Sequence, residues 1–239
     1  SKMFYEHSAV KLLFDAGTGQ IIDANKSAER FYGWPAEKLR SMKISDINIL
    51  PPEEVRKEMD KVSSGQQNYF EFKHRIADGS VRHVEVYSTA MEIDNRKVLY
   101  SIIHDVTDKY KAQENFRFEQ YLMNSLMDTT SDFIFFKDIE GRIIRLNKAL
   151  VYDLGFKHED QAIGKTDFQL FSQEFALRTF NDERKIIETG EPLINMEEKV
   201  VWPDGHVTWA LTSKLPLKDS NGTVIGTFGI SRDITQWKL

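Results

Sequence analysis

The chain contains no cysteine. That absence removes disulfides, thiolate catalysis, cysteine-ligated zinc, iron–sulfur clusters and covalently attached c-type haem. It leaves the compartment open, because domains on either side of a membrane can do without the residue. Long apolar runs are missing as well. No stretch approaches a membrane span, and the opening SKMFYEHSAV has neither the basic start nor the apolar centre of a secretion signal. The segment is therefore expected to carry no membrane span and to work in the cytoplasm. Surplus positive charge is also lacking: 32 Lys and Arg stand against 37 Asp and Glu, a net charge of -5. Without a dense basic cluster, nucleic acid and anionic membrane surfaces are not expected partners. The glycines of AGTGQII lack dinucleotide-binding spacing and lead into a strand, not a helix; no phosphate-binding loop, nucleophile elbow or zinc-protease signature is present. The six histidines show no metal-ligand spacing. A catalytic role for this chain is accordingly not expected, and no metal site is assigned.

What is present is a sequence that repeats itself. From Val10, VKLLFD and QIIDAN read as two short strands around a glycine-containing turn, and Asn25 then caps a short helix that Gly33 stops. Short helical turns follow to Leu50. PPEEVRKEMDKV is a helix with proline and early glutamates at its start, and three longer strands come last, with Asp78-Gly79 turning between the first two. The second half has the same order. Asp138 answers to Asp15, Gly141 to Gly19, Asn147 to Asn25, Gly155 to Gly33, Asp204-Gly205 to Asp78-Gly79, and Asp233-Ile234-Thr235 to Asp105-Val106-Thr107. A length of 239 residues suits two such units.

Between the units, HDVTDKYKAQENFRFEQYLMNSLM passes from a strand ending into a charged run without Pro or Gly, in which Phe118, Leu122 and Leu126 recur every fourth position. The expected layout is a first domain over 1–108, a connecting helix over 109–127 and a second domain over 128–239.

The strand order, the ADGS and PDGH turns, the Asn-led helix and the terminal DVT and DIT triplets resemble the PAS sensor domains, in tandem, and IGKTDFQLF and GISRDIT resemble the branch found in bacterial signalling proteins. The resemblance implies an α+β fold of two PAS-like domains. Each would be a five-stranded antiparallel sheet, order 2-1-5-4-3, with helices on one face enclosing a small pocket. It further implies a sensory input region of the sensor histidine kinase or diguanylate cyclase type, a homodimer formed through helical linkers, a small-molecule ligand and a C-terminal output domain. The rival reading is a ligand-free scaffold pair that mediates dimerisation. The cofactor stays open. Haem is not expected, since the long helices that precede the third strands hold no histidine, and a cysteine-adduct flavin has no cysteine to use.

Strand alternation picks the side chains that face each pocket. In YFEFKHRI, Phe70, Phe72, His74 and Ile76 share the apolar face. Pairing His74 with Val84 keeps Arg75 and Arg82 apart, sets Lys73 against Glu85, and puts Val84, Val86 and Ser88 inside with His74. The same register in the second half sets Val200 against Ala210 and Glu198 against Thr212, with Ser231 inward from the last strand and Trp209 and Leu211 outward. Those nine, His74, Val84, Val86, Ser88, Glu198, Val200, Ala210, Thr212 and Ser231, are the candidate ligand-pocket residues. The helix around Phe118 to Leu126 is expected to cover Trp209. Asp105 with Thr107, and Asp233 with Thr235, are expected to cap the following helix and to form the junction through which a signal would pass.

Overall fold

The chain divides into two compact units, Ser1–Arg117 and Phe118–Leu239. A computed structural model describes residues 2–238. In the first unit the elements run α1 (Lys2–Tyr5), β1 (Val10–Asp15), β2 (Ile21–Ala24), α2 (Lys26–Tyr32), α3 (Ala36–Arg40), α4 (Ile44–Ile47), α5 (Pro52–Ser63), β3 (Tyr69–Arg75), β4 (Val81–Ile93) and β5 (Arg96–Asp105). Helix α6 (Thr107–Thr129) follows. The second unit has β6 (Phe133–Asp138), β7 (Ile143–Leu146), α7 (Lys148–Asp153), α8 (Asp167–Leu170), α9 (Gln173–Thr189), β8 (Leu193–Val201), β9 (Val207–Lys218), β10 (Val224–Asp233) and α10 (Thr235–Lys238). Both sheets are five-stranded and antiparallel, ordered β2-β1-β5-β4-β3 and β7-β6-β10-β9-β8. The first and last strands of each unit thus lie side by side at its centre.

Each unit's short second strand must hand over to a helix beside the first strand, and an asparagine holds that corner. The Asn25 side-chain oxygen accepts from the Lys11 and Ala28 amides at 3.1 and 2.9 Å, while its amide donates to the carbonyls of His7 and Ala9. Asn147 accepts from Ile134 and Leu150 and donates to Asp132. Only a side chain that both donates and accepts can serve strand, helix and incoming chain together. One face of the first sheet then buries Leu12, Phe14, Phe70, Val86, Leu99 and Ile103 against Tyr32, Leu39, Ile47, Val55 and Met59 of the helices. In the second unit, Phe133, Val200, Ala210 and Trp202 pack with Leu150, Leu154 and Leu170.

The pairing of β3 with β4 differs from the register expected from charge. His74 lies opposite Arg82, Phe72 opposite Val84 and Lys73 opposite His83, two residues from the His74–Val84 alignment. The turn explains the shift. Gly79, at φ 86°, lets its amide reach the Ile76 carbonyl at 2.9 Å, and the Ile76 amide reaches Ser80 at 3.0 Å, so two backbone bonds close the hairpin tightly. The second unit repeats this through Gly205 and the Trp202–His206 bond, and Val200 meets Thr208 while Glu198 meets Ala210. A two-residue shift leaves every side chain on its expected face.

The cover expected for Trp209 is not there. Trp209 is 36% exposed with the Lys238 ammonium 5.6 Å above its ring, and Phe118, Leu122 and Leu126 are themselves 60%, 51% and 61% exposed. The C-terminal turns of α6 are tied elsewhere, to β7 through Asn124 and Arg145 and to α7 through Asp128 and Lys148 at 2.7 Å. Polar contacts decide where that end of α6 lies, and its apolar stripe is left open.

Replacing Asn25 with Ala leaves four backbone groups without their partner and is expected to cost about 1–3 kcal/mol. Urea unfolding checks this; an unchanged midpoint would contradict the corner role.

Candidate functional site

In each unit the helices stand far enough from the sheet to leave a cavity. That of the second unit is about 60 Å³, walled by Phe133, Phe135, Phe171, Phe175 and Trp202 and by Lys137, Asp167, Thr179, Glu198, Thr212, Lys214 and Ser231. Gly229 admits one wall of this space. A side chain there would run into the Phe135 ring, which lies across the glycine, whereas the residue at the matching place in the first sheet is Ser101.

The polar lining is a set of buried ion pairs that join helices to strands. Lys137 on β6 reaches Asp167 of α8 at 2.5 Å and Glu183 of α9 at 2.6 Å. Lys214 on β9 reaches Asp182 of α9 at 3.2 Å and Glu198 of β8 at 3.4 Å. Lys137, Lys214, Asp167, Glu183 and Glu198 are all more than nine-tenths buried. Burial works against the Lys137 charge, but Asp167 and Glu183 together outweigh it and hold the ammonium above the usual lysine pKa. For Glu183 burial prevails over Lys137, and its pKa is raised. Thr212 and Ser231 bond to each other at 2.8 Å, and Thr179 Oγ1 is buried with no hydrogen-bond partner among the described residues. Ammonium donors, carboxylate acceptors and flat aromatic walls together suit a small molecule with polar edges.

The first unit's cavity is about 40 Å³ and mostly apolar, with His74, Asn48, Glu58, Ser88 and Ser101 as its polar lining. Ser88 and Ser101 bond to each other at 2.5 Å. The His74 Nδ1 lies 2.9 Å from the Tyr32 hydroxyl, and burial lowers the imidazole pKa to about 3. Burial likewise raises the Tyr32 phenol.

Of the residues singled out by alternation, His74, Val86 and Ser88 line the first cavity, and Glu198, Val200, Thr212 and Ser231 line the second. Val84 and Ala210 are buried in the cores but line neither cavity, since both lie nearer the ends of their strands, opposite Asp105 and Asp233. Glu197 and Glu198 separate by the same alternation: Glu197 is an outer residue paired with Lys238, and Glu198 is the buried partner of Lys214. Lys137 and Lys214 were missed as site residues. Their signal was the same period of two, for Lys137 follows Phe133 and Phe135 inward and Lys214 follows Ala210 and Thr212. Among the described residues no group of His, Asp and Glu has the arrangement of a metal site.

At the strand ends the acid–threonine pairs have closely similar geometry. Asp105 accepts from the Thr107 amide at 2.9 Å, and the Thr107 hydroxyl accepts from the His83 amide at 2.9 Å. Asp233 accepts from the Thr235 amide, and the Thr235 hydroxyl accepts from Trp209. The threonine therefore fastens the start of the helix to the neighbouring strand, β4 or β9, besides being capped itself. In the first unit Tyr110 adds to this, stacking on His83 and donating to Glu71 at 2.6 Å.

Two outcomes follow. Lys137→Met strands two buried carboxylates and is expected to destabilise the second unit by about 3–5 kcal/mol, most of it regained in the Lys137→Met/Asp167→Asn/Glu183→Gln triple variant. Urea unfolding of the series checks it, and a harmless single variant would refute it. His74 stays neutral in the fold down to about pH 3 but takes a proton near 6.5 when unfolded. The unfolded first unit therefore binds the extra proton below pH 6.5, and stability falls with pH from 6.5 toward 3. Between pH 6.5 and 5 the loss is about 2 kcal/mol. Hydrogen exchange of first-unit amides at the two pH values reads it, and His74→Gln is expected to flatten the slope; an equal slope in the variant would contradict the assignment.

A family model described as a PAS domain matches residues 9–108, and one described as the PAS fold matches residues 127–238. Over 117 residues the chain is 36% identical to diguanylate cyclase DgcM of Escherichia coli (strain K12), covering 48% of this chain and 28% of that protein. It is 30% identical over 116 residues to the methanogenesis regulatory histidine kinase FilI of Methanothrix harundinacea (strain 6Ac), covering 48% of this chain and 12% of that one. The match thus spans less than a third of either relative's own length. Among solved structures, the PAS domain of a protein from Colwellia psychrerythraea superposes with a TM-score of 0.43 at 26% identity, over 49% of this chain and 98% of that one. Among the described residues no helix is long and apolar enough to cross a membrane. With both family matches falling on units that share one strand order and one cavity position, the chain belongs to the PAS family and comprises two PAS domains in tandem.

Proposed function

We propose that this chain is the sensory input region of a signal-transduction protein, and that the second domain's cavity binds a small molecule with polar edges. The observation that carries the reading is the set of buried ion pairs across that cavity. Lys137 and Lys214 hold α8 and α9 to the sheet through side chains that a ligand would touch. An occupant that bonds to Glu198, Lys214 or Thr179 changes the balance of those pairs and shifts α9 against β9 and β10. Strand β10 carries the change to Asp233 and Thr235, and so to the helix they start. In the first domain the equivalent route runs from β5 through Asp105 and Thr107 into α6. The output is a separate catalytic domain of the kind that names the two relatives, a diguanylate cyclase or a histidine kinase. The protein works as a cytoplasmic homodimer, with the exposed Phe118, Leu122 and Leu126 stripe of α6 as the contact.

Native mass spectrometry of gently purified protein tests both parts. The expected spectrum is a dimer carrying a small-molecule adduct, with the adduct reduced in Glu198→Gln and Thr212→Val. No adduct in any preparation, with the cavity filled by side chains, would favour a scaffold without a ligand. Leu122→Gln/Leu126→Gln is expected to weaken the dimer at least about tenfold, the loss of a few buried leucine contacts. An unchanged sedimentation profile would rule out α6 as the contact.

A further inference from the structure

The second domain has a charged contact where its chain enters and leaves. Its central strands, β6 and β10, pair from Asp138 with Gly226 to Phe133 with Ser231. One step beyond that ladder, in the same register, stand Asp132 and Arg232, 100 residues apart in the chain. The guanidinium grips the carboxylate at both oxygens: Nε donates to Oδ1 at 3.0 Å and Nη2 to Oδ2 at 2.8 Å. A planar fork on a planar carboxylate fixes direction as well as distance, which a single-point contact does not.

Each partner is bound closely to one helix. On the entering side, α6 is anchored by buried Met127 and by Asp128, which meets Lys148 of α7 at 2.7 Å. The Thr130 amide extends the helix by bonding the Leu126 carbonyl at 3.3 Å, the Thr130 hydroxyl accepts from the Asp132 amide at 3.1 Å, and the Asp132 carbonyl accepts from Asn147 at 2.7 Å. So short and bonded a connection leaves little slack between α6 and Asp132. On the leaving side, Asp233 follows Arg232 directly and accepts from the Thr235 amide at 2.7 Å, while the Ile234 amide bonds the Trp209 carbonyl at 2.7 Å. The ion pair is the side-chain link between these two bonded ends.

The frame does not require this pair. In the first domain the ladder of β1 with β5 ends at Val10 with Ile103, and the next step sets Ala9 beside His104. Alanine has no charge to offer, its amide bonds to His7, and His104 packs edge-on against Tyr87 with ring centres 5.9 Å apart. The copy that receives α6 has the tie, and the copy that α6 leaves does not.

We propose that the Asp132–Arg232 pair is a mechanical coupler between the helix that enters the second domain and the helix that leaves it. A displacement at the end of α6 moves Asp132, the guanidinium draws the end of β10 with it, and Asp233 and Thr235 pass the movement into α10. The second domain then forwards what reaches it along α6, besides reporting on its own cavity. The route runs outside that cavity, for neither Asp132, Arg232, Asp233 nor Thr235 lines it. The coupling therefore stands or falls independently of any ligand.

The test is residue-resolved hydrogen exchange on the whole chain without added ligand, in a cycle of wild type, Met127→Ala, Arg232→Gln and the double variant. Met127→Ala loosens the end of α6, and the readout is at the far side of the pair, the amides of Ile234 and Thr235. With Arg232 present, Met127→Ala is expected to speed their exchange about threefold to fivefold, up to the strength of one exposed ion pair. With Gln at 232 the same change is expected to add nothing to the rise that Arg232→Gln itself brings. An equal rise in both backgrounds, or no rise in either, would overturn the coupler. The amide of Ile186, wholly buried in α9, reports on the fold. If Met127→Ala lowers protection there, Lys148→Gln, which frees Asp128 at an exposed position, takes its place in the cycle with the same two outcomes.

Discussion

The ammonium groups of Lys137 and Lys214 lie inside the second domain, each met by two carboxylates from different elements. Taking such charges out of water costs several kcal/mol per ion, and only close partners in a low-dielectric setting offset it. The geometry follows from that constraint. Helices α8 and α9 must come near enough to the sheet to present Asp167, Asp182 and Glu183, yet side chains as long as lysine hold them off the strands. A gap remains, and Phe135, admitted by Gly229, walls one side of it. Buried ion pairs of this kind contribute little net stability over an apolar core, so folding alone does not account for them.

The first domain meets the same architectural demand with different chemistry. Where Thr212 and Ser231 bond across β9 and β10, the first sheet has Val86 opposite Ile103. Where Lys214 stands, it has Ser88, bonded to Ser101. Its cavity therefore has no buried lysine, and its polar lining is His74, Asn48, Glu58, Ser88 and Ser101. The shared parts are those that make the fold: the asparagine corner, the glycine of the β3–β4 and β8–β9 hairpins, and the acid–threonine pairs. The parts that differ line the cavities. The frame is duplicated and the linings have diverged.

Much of this was legible in the sequence. The duplication and the strand pattern stood in the landmarks from Asp15 and Asp138 onward, and period-two alternation put His74, Glu198, Thr212 and Ser231 on inner faces. The register of β3 and β4 was off by two because cross-strand charge was weighed above the turn, and the bonds made by Ile76, Gly79 and Ser80 are stronger than any surface pair of Lys73 with Glu85. The lysines were passed over because that residue is so seldom buried, and their partners come from Asp167, Asp182 and Glu183, distant in sequence. The place of α6 was misjudged because Asn124 and Asp128 hold its last turns by β7 and α7, which no apolar period records.

The direct test is the electron density inside the second domain of protein crystallised at neutral pH without added ligand. The account predicts continuous density larger than water, within hydrogen-bonding distance of Glu198 or Lys214 and bounded by Phe135 and Phe171. A space closed by those two rings, or filled with separate waters alone, would contradict it.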